Sequence, residues 1–202
     1  MQKFLLLLGA LAGLAGSAQG QTIRYGLKAG VSLAQLTSFN SEVSQSRVGV
    51  TAGLMADAAL GERLALHPEL LFSQKGQRFE GSGPGGFTST DLLRLNYLDL
   101  PILLRLKFGN FFAEAGPQAG YLLSANSSHT QSPTPYSTSS NTTEGLHRLD
   151  AGYVVGMGYQ LLGRWEVNAR YNGGLLSVFS GGSGTAANSV FQFQAGYLLG
   201  GE

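Results

Sequence analysis

His67, Glu69, Ser73 and Lys75 fall on alternate positions of one stretch, LALHPELLFSQKG. An imidazole, a carboxylate, a hydroxyl and an amine are the ingredients of hydrolysis, in which a His–carboxylate pair activates a serine. Spacing by two puts all four on one face of a strand. A shared face sets no triad geometry, so the residues read as a polar network, with a barrel-borne hydrolase as the catalytic alternative. The remaining histidines, His129 and His147, lie on other segments with no metal-ligand spacing. There is no cysteine, which excludes thiolate metal sites, disulfides and Cys nucleophiles. GSGPGG at 81–86 lacks the Lys-Ser/Thr of a phosphate loop. The sequence therefore predicts no catalytic residue, no metal and no cofactor. A formal net charge of +1 gives no reason to expect a nucleic-acid partner.

What chemistry remains is charge. Arg24, Lys28, Arg47, Lys75, Arg105, Lys107, Arg148 and Arg170 stand against Asp57, Glu69, Asp99, Glu114, Asp150 and Glu166. They occupy one face of segments that alternate at period two. In FFAEAGPQAGYLLSA (111–125), Phe111, Ala113, Ala115, Pro117, Ala119, Tyr121 and Leu123 oppose Glu114, Gln118 and Ser124. The same alternation recurs in TIRYGLKAGVSLAQL, RVGVTAGLMADAAL, LHRLDAGYVVGMGYQL, WEVNARYNGGLL and VFQFQAGYLL. In each, the charged residues sit opposite the aromatic series, the mark of strands with two unlike neighbours. The segment LLRLNYLDLPILLRLKF changes phase near Leu98–Asp99, which predicts a bulge beside Pro101.

Composition selects between a protein core and lipid for the apolar face. Charged residues make up 12% of the 202 and glycine numbers 30, yet the hydrophobic share is an ordinary 43%. No stretch after the N-terminus approaches the ~20 apolar residues of a membrane helix. Tight turns at Gly61–Arg63, Gly109–Asn110 and Gly163–Arg164 alternate with long polar links at about 37–46, 80–90, 126–145 and 180–188. Eight strands in this layout predict an all-β, antiparallel up-and-down transmembrane barrel of the outer membrane. Tyr25, Phe111, Tyr159, Trp165 and Tyr197 would form an interfacial girdle toward the turns, with Phe72, Tyr97 and Phe191 toward the loops. Arg24, Lys28, Asp57, Glu69, Lys75, Arg105, Glu114, Asp150, Glu166 and Arg170 would form a closed lumen network, because an eight-stranded barrel is filled by its own side chains. Residues 1–20, MQKFLLLLGALAGLAGSAQG, carry a lysine, a short apolar run and a small-x-small end, the pattern of a cleaved signal peptide. The barrel domain is then 21–202.

GLKAGVSLAQL, HPELLFSQKG, LNYLDLPILLRLKF, AEAGPQAGYLLSA, DAGYVVGMGYQL, ARYNGGLLSV and FQFQAGYLL resemble the PorT-like outer-membrane β-barrel family of Gram-negative bacteria. The resemblance implies the barrel fold, an outer-membrane location and no transferable catalytic residue. One member of that family is linked to protein secretion and gliding. The expected partners are the outer-membrane bilayer and envelope or secretion proteins meeting the long loops, so the expected role is structural or interactive and not enzymatic. The rivals are a small pore or transporter, a secretion-complex component, and a soluble lipocalin-like barrel with its apolar face turned inward.

Overall fold

A strand with one apolar and one charged face must bury the second against others of its kind, and closing the sheet on itself achieves this without free edges. The computed structural model describes residues 23–37, 44–83, 86–132, 136–141, 143–180 and 186–199. Its strands are β1 (Ile23–Thr37), β2 (Ser44–Gln45), β3 (Arg47–Ala59), β4 (Leu64–Gly83), β5 (Phe87–Phe108), β6 (Phe111–Ser132), β7 (Tyr136–Asn141), β8 (Leu149–Leu161), β9 (Trp165–Gly174) and β10 (Ala187–Leu199). Eight of them close an antiparallel ring in the order β1, β3, β4, β5, β6, β8, β9, β10 and back to β1. Short β2 and β7 flank the ring at the loop end, on β4 and β6. No described helix is long and apolar enough to cross a membrane, which says nothing of crossing by strands.

The apolar series faces out. Met157, Val48, Phe111 and Tyr25 are 70%, 66%, 65% and 61% exposed. This orientation rules out the lipocalin-like arrangement. At the turn end the outward aromatics meet across strands: Phe111 packs edge-on against Tyr159 at 4.7 Å, and Trp165 lies 4.8 Å from Tyr197. Both contacts follow directly from register, which pairs Phe111 with Tyr159 and Tyr197 with Trp165.

Three features differ from the expectation. β5 has no phase change: Leu95, Tyr97, Asp99, Leu103 and Arg105 all point inward and are buried. The irregularity lies between Asn96 and Tyr97, where Asn96 pairs with Ser124 and Tyr97 with Leu122, leaving Leu123 of β6 as the extra residue. The apolar phase shift in β5 is instead a change in what the lumen contains, from charge at Asp99 and Arg105 to apolar side chains at Leu95 and Tyr97. Tyr97, 1% exposed, is consequently no part of a girdle. Third, the links 80–90 and 126–145 are largely strand. β4, β5 and β6 run 20, 22 and 22 residues where about 9–11 span a bilayer. They continue past the ring as a sheet, edged by β7. The links 37–46 and 180–188, and the proposed leader 1–20, lie mostly or wholly outside the described residues.

The β8–β9 turn carries local strain. Leu162 and Gly163 both have positive φ, 50° and 72°, as the two central residues of a type I′ turn require, and Arg164 N donates to Leu161 O at 3.2 Å to close it. Leucine is poorly suited to that region, whereas asparagine tolerates it. Replacing Leu162, which is 93% exposed and loses no packing, by Asn should stabilise the barrel by about 1 kcal/mol. A urea unfolding midpoint in lipid vesicles measures it; an unchanged or lower midpoint would contradict the strain.

Candidate functional site

Each inward charge enters the lumen because its strand alternates; some meet a register neighbour on the adjacent strand, as Arg24 meets Asp57 and Arg105 meets Glu114, and others, as Arg170 and Glu69, meet across the lumen because the ring closes. At the turn end, Asp57 Oδ2 accepts from Arg24 Nη2 at 2.9 Å and Lys107 Nζ at 2.7 Å. The middle layer centres on Arg105, 2% exposed. Its Nη2 donates to Glu114 Oε2 at 2.8 Å and its Nη1 to Glu166 Oε2 at 2.7 Å, while the guanidinium stacks 3.9 Å from the Phe112 ring centre. Lys28 Nζ reaches Glu69 and, at 3.2 Å, Glu166; Arg170 Nη1 donates to the other Glu69 oxygen at 2.6 Å. Asn168 and Gln192 complete this layer on Glu114 and Arg170. Toward the loops, Lys75 Nζ lies 3.0 Å from Asp99 Oδ1, 3.2 Å from Asp150 Oδ2 and 4.5 Å from the Tyr97 ring centre.

Glycine is the device that lets these side chains meet. Lys28 and Glu166 flank Gly196 in one row of the sheet, Asp99 and Asp150 flank Gly120, and Glu114 and Arg170 flank Gly156. A Cβ on Gly196 would fall 2.9 Å from Glu166 Cγ. Long side chains from the outer two strands of each row thus cross the space above the middle one.

Above the charges the lumen is apolar. Leu36, Leu95, Tyr97, Leu122, Ala125 and Val178 form one buried cluster. Val178 comes from the segment between β9 and β10, which is pinned over the mouth by backbone bonds from His147 N to Val178 O and from Val178 N to Ala186 O, both 2.8 Å. Sequence reading missed this cap. The run Leu93, Leu95, Tyr97 carried the signal, but its apolar character pointed to lipid.

The hydrolase arrangement does not form among the described residues. His67 is fully buried with Nε2 3.1 Å from Glu69 Oε1, but Ser73 Oγ meets Thr51 Oγ1 at 3.5 Å, and neither His67 nitrogen hydrogen-bonds to it. No described group of three His, Cys, Asp or Glu could hold a metal ion. Arg47 and Arg148 stand apart from the network: Arg47 Nη1 donates to the Lys75 carbonyl, and exposed Arg148 to Tyr121 Oη and Thr143 Oγ1. Outside the ring, His129 Nδ1 contacts Asp91 across β5 and β6, with Gln131 on Nε2.

The sequence model described as the outer membrane protein beta-barrel domain matches residues 17–180. The chain belongs to that family. This outer-membrane barrel is similar in structure to Ail, the attachment invasion locus protein of Yersinia pestis, solved with the heparin analogue sucrose octasulfate, at 11% identity over 88% of this chain and 99% of that one (TM-score 0.49). It is similar to Neisserial surface protein A at 10% identity over 86% and 96% (TM-score 0.43). The outer membrane protease OmpT of Escherichia coli matches at 9% identity over 91% and 98% (TM-score 0.35). Comparison with curated proteins found no match. Family and ring together locate the protein in the outer membrane.

Proposed function

We propose that this is a non-conducting, non-enzymatic barrel that anchors an extracellular sheet in the outer membrane for contact with envelope or secretion proteins. The observation that carries the reading is a lumen closed twice over. An ion-pair layer fills the middle and the Leu36–Leu95–Tyr97–Leu122–Val178 cluster covers the outer mouth. A selective pore needs charges of one sign at one depth, and here both signs alternate within each layer. Strand length supports the rest of the reading: about half of β5 and β6 is surplus to spanning, and sheet is what they build with it. Membership of the PorT-like branch, and removal of residues 1–20 on export, belong to the same reading and rest on the motifs quoted above.

Purified barrel in planar bilayers should give no resolved current steps, and Val178→Asp, which opens only the cap, should give none either because the ion-pair layer persists. Steady unitary conductance of the wild-type protein would instead establish a small pore. The chain has no cysteine, so Ser139→Cys on β7 and Glu62→Cys in a periplasmic turn are unique attachment points. Crosslinking in intact cells should yield a discrete protein adduct from the first and not from the second; equal adducts from both would remove the extracellular sheet from the account.

A further inference from the structure

We infer that the free edge of β7 pairs with the β7 edge of a second copy held in a facing membrane, so that the barrel joins two surfaces by strand addition. This deepens the contact role proposed above and rests on the sheet lying outside the cell. β6 carries β8 on one edge as far as Tyr121 and then, from Asn126, carries β7. β7 has β6 on one side and, among the described residues, no strand on the other. All six of its residues, Tyr136–Asn141, are exposed. Alternate backbone N–H and C=O groups along that edge therefore point to solvent and offer a template for another strand.

The edge is also unprotected. Natural sheets block such edges with charge, proline, a bulge or extreme shortness. The opposite margin of this same sheet is blocked: β2 is two residues long and lies beside Arg78, whose guanidinium is paired with Glu80. β7 reads YSTSSN, with no charged residue and no proline. A neutral edge does not repel its own copy, whereas like charges set directly opposite would.

Composition then selects the occupant. Across β6 and β7, Ser127 faces Ser140, Ser128 faces Ser139, Thr130 faces Ser137, and Asn126 Nδ2 donates to Asn141 Oδ1 at 2.7 Å. β7 thus already pairs antiparallel with a run of Ser, Thr and Asn. A second β7, set with Thr138 opposite Ser139, repeats the same pairs: Ser137 meets Ser140, and Tyr136 meets Asn141. Hydroxyl pairs of this kind are favourable across antiparallel strands.

Strand direction fixes where that copy sits. β6 runs away from the ring and β7 runs back toward it. Copies in one membrane are related by rotation about its normal, which leaves both β7 strands descending and so parallel. Antiparallel pairing needs an inverted copy, and a facing membrane supplies one. A single six-residue contact is weak, but a patch of copies engages many at once.

The test is clustering of lipid vesicles that carry the full-length barrel, read by light scattering. Outward-facing sheets are counted in a parallel sample by labelling Ser139→Cys with an impermeant maleimide. Wild-type vesicles should cluster with one another and not with bare vesicles. Thr138→Lys with Ser139→Lys, or Thr138→Glu with Ser139→Glu, should each lower self-clustering by about tenfold, because many contacts are lost together. Mixing the lysine and glutamate populations should restore it, which mere detachment of β7 would not. The same charges at Thr88 and Thr90 of central β5 should change nothing, alone or mixed. Wild-type vesicles that show labelled sheets but do not cluster would overturn the pairing, as would β7 variants that cluster like wild type. Clustering with bare vesicles would make lipid the partner and overturn it too. The vesicles contain no other protein, so such a failure removes self-pairing alone, whereas the crosslink in cells decides the contact role itself.

Discussion

Arg105→Ala should lower barrel stability by about 3–5 kcal/mol, because it strips the shared cation from two buried carboxylates at once. Glu114 and Glu166, 3% and 1% exposed, both take their strongest contacts from this guanidinium. Glu166 keeps Lys28 at 3.2 Å, but Glu114 is left with only the Asn168 amide among the bonds described. The loss of stacking on Phe112 adds to the effect. The physical claim is that the cost comes from stranded charge and not from lost volume. Arg105→Met should therefore be almost as damaging, whereas Arg105→Met combined with Glu114→Gln and Glu166→Gln should recover most of the loss. Urea unfolding in lipid vesicles, read by the mobility shift on boiling, measures all three. A single-variant loss below about 1 kcal/mol would mean that water reaches the carboxylates and the lumen is open.

Met157→Arg should cost about 2–4 kcal/mol, the penalty for a cation on the lipid face near the bilayer midplane. Met157 is 70% exposed and sits four residues up β8 from Leu161, which pairs with Trp165 among the turn-end aromatics. In water a substitution at so open a position would fall within about 0.5 kcal/mol of neutral. Leu162→Arg supplies the comparison: it is more exposed still, at 93%, but lies in the turn below those aromatics, where the charge should reach water. The pair separates lipid from solvent at two highly exposed positions. Equal, small effects at both positions would contradict immersion of the β8 face in a bilayer.

These two experiments probe opposite faces of the same strands, and the faces differ in how far sequence alone defines them. The outward face is a local property. Tyr25, Leu27, Ala29 and Val31, or Phe191, Phe193, Ala195 and Tyr197, share a side because side chains alternate along any strand, whatever its neighbours. Strand number, the antiparallel ring and the membrane follow from repeating that pattern between short turns and long links. The same alternation gives Glu114, Glu166 and Arg170 the side opposite the aromatics.

Arg24–Asp57 and Arg105–Glu114 are register neighbours on adjacent strands, but the pairs that span the lumen are decided only on closure. Arg170 of β9 meets Glu69 of β4 across the lumen, 101 residues away, and Lys28 meets Glu166 because Gly196 stands between them in register. No local pattern encodes a distance across a barrel. The cap was hidden for the same reason. An apolar residue announces a water-free neighbour but not which one, so Leu95 and Tyr97 suit lipid and an apolar lumen equally well. The choice was made by Leu36, Leu122 and Val178, brought from β1, β6 and the β9–β10 segment. The sheet beyond the ring was illegible on other grounds. Its Ser, Thr and Asn residues read as loop when taken singly, and they become strand because β5 offers β6, and β6 offers β7, a ladder to pair with. Sequence thus determined the faces, the ring and the membrane, each a repeated short-range pattern. Tertiary structure alone decided the cross-lumen ion pairs, the cap, the Leu123 bulge and the sheet beyond the ring, because each depends on which strands the fold brings together.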